Sequence, residues 1–303
     1  MRIDYRIPAV KSYINWDYFY YAWGIHNKPD EEKLQLREEA KALLRKYGYR
    51  YQTHALFLLL EASSDGEDIV VSKEQEQIRL PFLRQQHGNP CLCLADFVAP
   101  KQLTASCAPL VLRRASSESG LQLTASTLTP PPSTLHLQPS TTHHIGIFAT
   151  TVDAGMEHDF DEDPYEKMMM QLLADRLAEA TAERLHKEVR QTYWGYAKNE
   201  HLPMDELHTE QFQGIRPAVG YPSLPDASIN FLLDELLDMQ QIGIELTESG
   251  AMRPHASVSG LMFAHPQARY FDVGKIDEAQ LKDYACRRGL PIEEMRRFLT
   301  RNL

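Results

Sequence analysis

The chain has 303 residues, enough to bury one large core or two smaller ones, and its 43% hydrophobic and 24% charged content is ordinary for a globular protein. A net charge of -10 leaves no basic surplus to neutralise phosphates, which argues against a nucleic-acid partner. The longest strongly apolar run, residues 55–60, is far too short to span a bilayer, which argues against a membrane role. Residues 1–6 lack the apolar core of a signal peptide, so a cytoplasmic location is expected.

In chain order, the first fifty residues read as helical. Asn15 is placed to cap a helix carrying Trp16, Tyr18, Phe19, Tyr20, Tyr21 and Trp23. A second helix over residues 31–47 sets Leu34, Ala40, Leu43 and Leu44 on or near one face and ends at Gly48. Strands are predicted at 55–61, 68–72 and 92–98, with Asp65-Gly66 turning the first two into a hairpin. Cys91, Cys93, Cys107 and Cys286 make neither a disulfide nor a zinc framework and read as reduced structural thiols.

From 104 to 142 the composition changes: 19 of 39 residues are Ser, Thr or Pro, which predicts a disordered insertion. Order is expected to return with a strand at 145–150 and a long helix over 161–193 whose acidic start suits the helix dipole. Shorter helices are predicted at 204–213, 226–239, 277–288 and 291–299, with strands at 243–247, 258–265 and 270–276. Helices and antiparallel strand clusters without a βαβ rhythm indicate an α+β fold.

On the long helix Arg176, Glu179, Glu183, His186 and Arg190 recur every three or four residues as one polar stripe. It reads either as a solvated face with intrahelical ion pairs or as a face that turns one carboxylate, Glu179, into a cleft. Asp159-x-Asp161-x-Asp163 imitates a calcium loop, but Pro164 and Met170 occupy the positions that need glycine and a bidentate glutamate. No His-Glu-x-x-His, Gly-x-Ser-x-Gly, Gly-x-Gly-x-x-Gly or phosphate-loop motif occurs, so neither a metal nor a catalytic nucleophile is predicted. Arg216-Pro217-Ala218-Val219-Gly220-Tyr221-Pro222 combines a stiff backbone with one cation and one ring, which suits a small zwitterionic ligand.

That loop, with Gly214-Ile215 before it, resembles the signature of the activation domain of cobalamin-dependent methionine synthase. Further segments agree in the same order: Leu94-Ala95-Asp96-Phe97-Val98-Ala99-Pro100-Lys101, Ala174-Asp175-Arg176-Leu177-Ala178-Glu179-Ala180, Tyr193-Trp194-Gly195-Tyr196-Ala197, Leu246-Thr247-Glu248-Ser249 and Ala256-Ser257-Val258-Ser259-Gly260. The resemblance runs from about residue 13 to 303, apart from the insertion. It implies one C-shaped α+β domain, 1–303, around a twisted antiparallel sheet flanked by helices.

It also implies a site for S-adenosylmethionine. Arg216 would hold the ligand carboxylate, Ala218, Gly220 and Tyr221 would supply loop contacts, and Tyr270-Phe271 falls on the paired-aromatic position. Glu179 would lie near the amino-acid end. The family's Ile-Asp-Trp, whose aspartate contacts the ligand, is here Ile14-Asn15-Trp16, which keeps hydrogen-bonding capacity and loses a charge. The 303 residues hold no folate, homocysteine or cobalamin module, so the expected role is a freestanding reactivation subunit, incomplete as an enzyme alone. It would work in trans on a separate methionine synthase core that carries cobalamin, with a flavodoxin-like electron donor. The alternative is a non-catalytic S-adenosylmethionine sensor or docking protein for a corrinoid protein.

Overall fold

The computed structural model of the chain describes residues 1–100 and 143–303; the expected insertion, with Cys107, lies outside the described residues. Its centre is an antiparallel sheet ordered β4 (Glu76–Pro81), β3 (Asp68–Lys73), β2 (Gln52–Asp65), β5 (His144–Val152), β8 (Ser257–Met262), and β1 (Arg2–Arg6) pairs with the first half of β2. A two-stranded ribbon, β6 (Glu245–Leu246) with β7 (Met252–Arg253), lies apart from it. The helices are α1 (Ile7–Val10), α2 (Trp16–Trp23), α3 (Asp30–Tyr47), α4 (Gly155–His158), α5 (Pro164–Glu188), α6 (Met204–His208), α7 (Ile229–Leu237), α8 (Glu278–Arg288) and α9 (Ile292–Phe298).

Side-chain alternation along the central strands supplies both faces of the sheet. Ala55, Phe57, Phe148, Val152, Val258 and Met262 join the core beneath α5, with Leu173 and Leu177. Leu56, Leu60, Ile145, Ile147, Ala149 and Leu261 join the opposite core, with Ile229 and Leu233 of α7. A smaller core gathers Leu83, Val273, Ile276 and Leu281 under α8 and α9. Helices on both faces of an antiparallel sheet give the expected α+β class.

Local chemistry sets the boundaries that differ from the sequence reading. The N-terminal fifty residues are not all helical: Ile3 and Tyr5 turn inward from β1, and the buried Tyr5 hydroxyl donates to Glu188 at 2.6 Å. Strand β4, Glu-Gln-Ile-Arg-Leu-Pro, is too polar to read as a strand alone and is held by β3. The strand predicted at 92–98 is a short 3-10 turn, Leu94–Phe97. There Asp96 accepts the Cys93 N–H at 2.8 Å and is gripped by both Arg84 Nη atoms at 2.9 Å. Helix α5 starts only at Pro164, capped by Asp163, and ends at Glu188 in a π-helical turn, Val189–Tyr193.

The strand predicted at 270–276 does not form. Asp272 accepts the Gly274 N–H at 2.8 Å and Val273 donates to the Pro222 carbonyl at 3.0 Å, so this segment clasps the signature loop instead of the sheet. Because Leu177 is fully buried between α5 and the sheet, Leu177→Ala should lower unfolding free energy by about 2–5 kcal/mol in denaturant titrations, with little change in m-value.

Candidate functional site

The exposed edge of β8 is covered by the signature loop. Ile215 N–H donates to Phe263 O at 3.0 Å, Leu261 N–H to Pro217 O at 3.0 Å and Val219 N–H to Ser259 O at 2.9 Å. Proline suits this position, since its missing N–H costs nothing on an edge where its carbonyl alone is used. The approach requires glycine at 260, where a Cβ would stand 2.3 Å from Pro217 O and 2.9 Å from Ala218 Cα. Gly214, at φ +87°, turns the chain into the loop with Phe263 O against its open side.

Pinned there, the loop faces α5 across a cavity of about 520 Å³. Asn15, Glu179, Arg216, Ala218, Tyr221, Tyr270 and Phe271 all line it; Gly220 does not, its positive φ serving the turn that ends in Gly220 N–H to Leu224 O at 2.8 Å. Asn15 caps α2, its Oδ1 accepting the Asp17 N–H at 3.0 Å. The Tyr221 hydroxyl donates to Glu179 Oε1 at 2.8 Å, and the Glu179 charge, then burial, holds that phenol above its ordinary range. Tyr270 contributes by its hydroxyl, which accepts the Arg216 backbone N–H at 2.9 Å; burial pushes its pKa up to about 12. Phe271 turns its ring toward Phe97 and exchanges hydrogen bonds with the Ser223 hydroxyl through its backbone.

Arg216 is the buried cation of the site. Its Nη2 donates to Glu183 Oε2 at 2.9 Å, and both side chains are only 12% exposed. Burial alone would lower its pKa, but the neighbouring carboxylates Glu183 and Glu179 outweigh that and hold the guanidinium ionised. Arg216 Nε and Glu183 Oε1 are buried and have no hydrogen-bond partner. Nearby, burial raises the Glu210 carboxyl above its ordinary range.

The sequence model of the vitamin B12 dependent methionine synthase activation domain matches residues 6–289. The chain belongs to that family. Among solved structures it is similar to a crystal structure of the MetH reactivation domain bound to AdoHcy, at 33% identity and a TM-score of 0.81, covering 100% of this chain and 90% of that one. The mixed fold with its largely antiparallel sheet is therefore that of the methionine synthase activation domain. No described helix is long and apolar enough to cross a membrane, and no group of three or more described His, Cys, Asp or Glu residues is placed to hold a metal.

Of the polar stripe on α5, the solvated reading fails. Glu179, Glu183 and Arg176 line the cavity, while His186 on α5 and Arg190 in the turn after it are fully buried. Two ion pairs leave the helix: Glu183 meets Arg216, and Arg190 forks onto Glu200 at 2.7–3.1 Å and lies 4.0 Å above the Phe212 ring. Sequence reasoning passed over Glu183 and Glu210 as site residues; the only signal was that Glu183 lies one turn beyond Glu179.

Two outcomes follow from this activation-domain geometry. Gly260→Ala should push residues 217–218 off β8 and cost about 1–3 kcal/mol of stability, measurable by thermal unfolding. Burial, with Arg190 and Arg216 nearby, holds the His186 pKa well below 6.5, so the unfolded chain binds a proton that the folded chain refuses. Stability is then fully present above pH 6.5 and falls with pH by up to about 1.4 kcal/mol per unit until the folded pKa is reached. The His186→Gln variant should lack that component in denaturation measured from pH 7.5 down to 5.

Proposed function

We propose that the chain binds S-adenosylmethionine between α5 and the 216–222 loop and presents its methyl group, in trans, to the cobalamin of a separate methionine synthase core. The observation that carries this reading is the cavity itself: the family's signature loop forms one wall, and the volume of about 520 Å³ falls within the common range for small-molecule sites. The similar reactivation domain was solved with AdoHcy, the demethylated form of the same ligand.

The donor set fits an adenosyl amino acid. Arg216 keeps an unused Nε–H for a carboxylate. Glu179, held by the Tyr221 phenol, offsets the positive charge of the sulfonium, and the Tyr221 ring, 53% exposed, offers a face to the adenine. Ala218 offers backbone groups and little bulk at the wall. Asn15 offers a neutral polar contact where the family carries a charge. Tyr270 and Phe271 hold the loop and its clasp in place.

Cobalamin, carried by the partner, supplies the cobalt nucleophile that takes the methyl group. The contribution of this chain is position: ligand binding fixes the methyl carbon where the corrinoid can reach it. Methyl transfer to so strong a nucleophile needs no general base, and none is assigned here. Reduction is left to an external donor of the flavodoxin type.

Calorimetry with S-adenosylmethionine tests the binding. Arg216→Lys keeps the charge opposite Glu183 but loses the planar fork, and should weaken binding by about ten- to a hundredfold. Asn15→Asp keeps the helix cap and restores the charge, and should tighten binding roughly tenfold. Absence of binding by the wild-type chain at millimolar ligand would contradict the reading. Restoration of turnover when the chain is added to an inactivated synthase core lacking its activation module, with S-adenosylmethionine and a reductant, tests the action in trans.

A further inference from the structure

Helix α3 carries Arg37, Lys41 and Arg45 at successive four-residue steps, so three like charges share one face. Like charges at that spacing repel, although Asp30, Glu31, Glu32, Glu38 and Glu39 on the same helix could have interleaved with them. Arg45 has an ordinary reason for its place, since it lies in the last turn and suits the helix dipole. Arg37 and Lys41, in the helix interior, have no such reason. A fourth cation comes from another element: Lys11, at the start of the 3-10 turn Lys11–Tyr13, borders the same groove. The groove encloses about 360 Å³, and Trp16 and the buried Leu44 give it apolar surface.

Counter-charge is scarce there. Glu38 Oε1 accepts from Lys41 at 2.8 Å, and among the described residues no carboxylate forms an ion pair with Lys11, Arg37 or Arg45. The surplus is local, because the whole chain carries a net charge of -10. The two inner cations are also held in place. Arg37 stacks over the Trp16 ring at 4.9 Å, and Glu38 tethers Lys41. Side chains fixed beforehand lose less entropy when a ligand arrives.

We propose that this groove binds a phosphoryl anion, at a site separate from the cavity between α5 and the signature loop. Arg37 and Lys41 take its oxygens, Lys11 and Arg45 approach from the exposed rim, and the Ser12 hydroxyl adds a neutral donor. Donors on four separate side chains call for several acceptor oxygens and more than one negative charge. A phosphoryl group supplies both; a carboxylate has two oxygens and one charge. The cations surround a depression instead of a flat face, a shape that suits a small ligand better than an acidic protein surface. The two sites share no lining residue, although Tyr13 and Asn15 of the cavity alternate along the chain with Ser12 and Trp16 of the groove. Occupation of the groove therefore does not depend on S-adenosylmethionine binding.

Calorimetry and indole N–H spectra of the full chain test the site with inorganic phosphate and phenyl phosphate, at constant ionic strength with chloride as the background anion. One anion should bind per chain, saturably, with a shift of the Trp16 indole resonance. Tighter binding of phenyl phosphate, by about threefold or more, assigns an organic ester that uses Trp16 and Leu44; no gain over inorganic phosphate assigns the free ion. Arg37→Gln should weaken binding about tenfold, and Lys11→Gln, a change at an exposed residue, by about three- to tenfold. Lys282→Gln on α8 removes the same charge outside the groove and should leave affinity within about twofold. Failure of both anions to saturate the wild type by about 10 mM would overturn the proposal. So would wild-type affinity in both groove variants, or equal weakening by Lys282→Gln. The Lys11 variant and the wild-type titrations keep the test decisive even where Arg37→Gln disturbs the packing of α3.

Discussion

The site depends on a close approach of two backbones. Residues 215–219 lie against the edge of β8 with Pro217 O and Ala218 Cα where any side chain at 260 would have to be. That contact blunts an otherwise open sheet edge and fixes a loop whose prolines already restrict it. It also determines which way Arg216 points. With the loop on β8 and α5 packed over the same sheet, the Arg216 guanidinium meets Glu183 and the Tyr221 phenol meets Glu179. The segment from Tyr270 to Val273 closes the arrangement from the far side, the Tyr270 hydroxyl accepting the Arg216 N–H and the Val273 N–H donating to Pro222 O.

Charge is buried here in pairs, which is how a protein tolerates it. Arg190 is covered by the Glu200 fork, and Arg216 by Glu183. His186 is kept neutral by desolvation and by the charges of both arginines. The two arginines differ in surroundings: Arg190 is walled in with its carboxylate and an aromatic ring, whereas Arg216 and Glu183 border a cavity.

Much of this was legible in the residues and some was not, for identifiable reasons. The hydrophobic runs of β2, β5 and β8 and the helix α3 follow from side-chain periodicity, and α2 from its Asn15 cap. The signature loop was visible through its prolines and its family resemblance. Strands β1 and β4 were hidden because their pairing with β2 and β3, and not their own composition, makes them strands. The segments 92–98 and 270–276 have strand-like composition, but Arg84 gripping Asp96 and Asp272 turning onto Gly274 override it. The stripe on α5 gave the correct face and the wrong environment: periodicity shows which residues share a side, while burial depends on the loop that arrives 33 residues later. Glu183 could not be separated from Glu179 by spacing; its ion pair with Arg216 distinguishes it.

The central claim is that the cavity between α5 and the signature loop receives the adenosyl amino acid. A crystal structure of the chain grown with S-adenosylmethionine tests it most directly. The account predicts the ligand carboxylate on Arg216, the sulfonium near Glu179 and the adenine against Tyr221. Electron density for the ligand elsewhere, with the Arg216–Glu183 cavity holding only solvent, would contradict it.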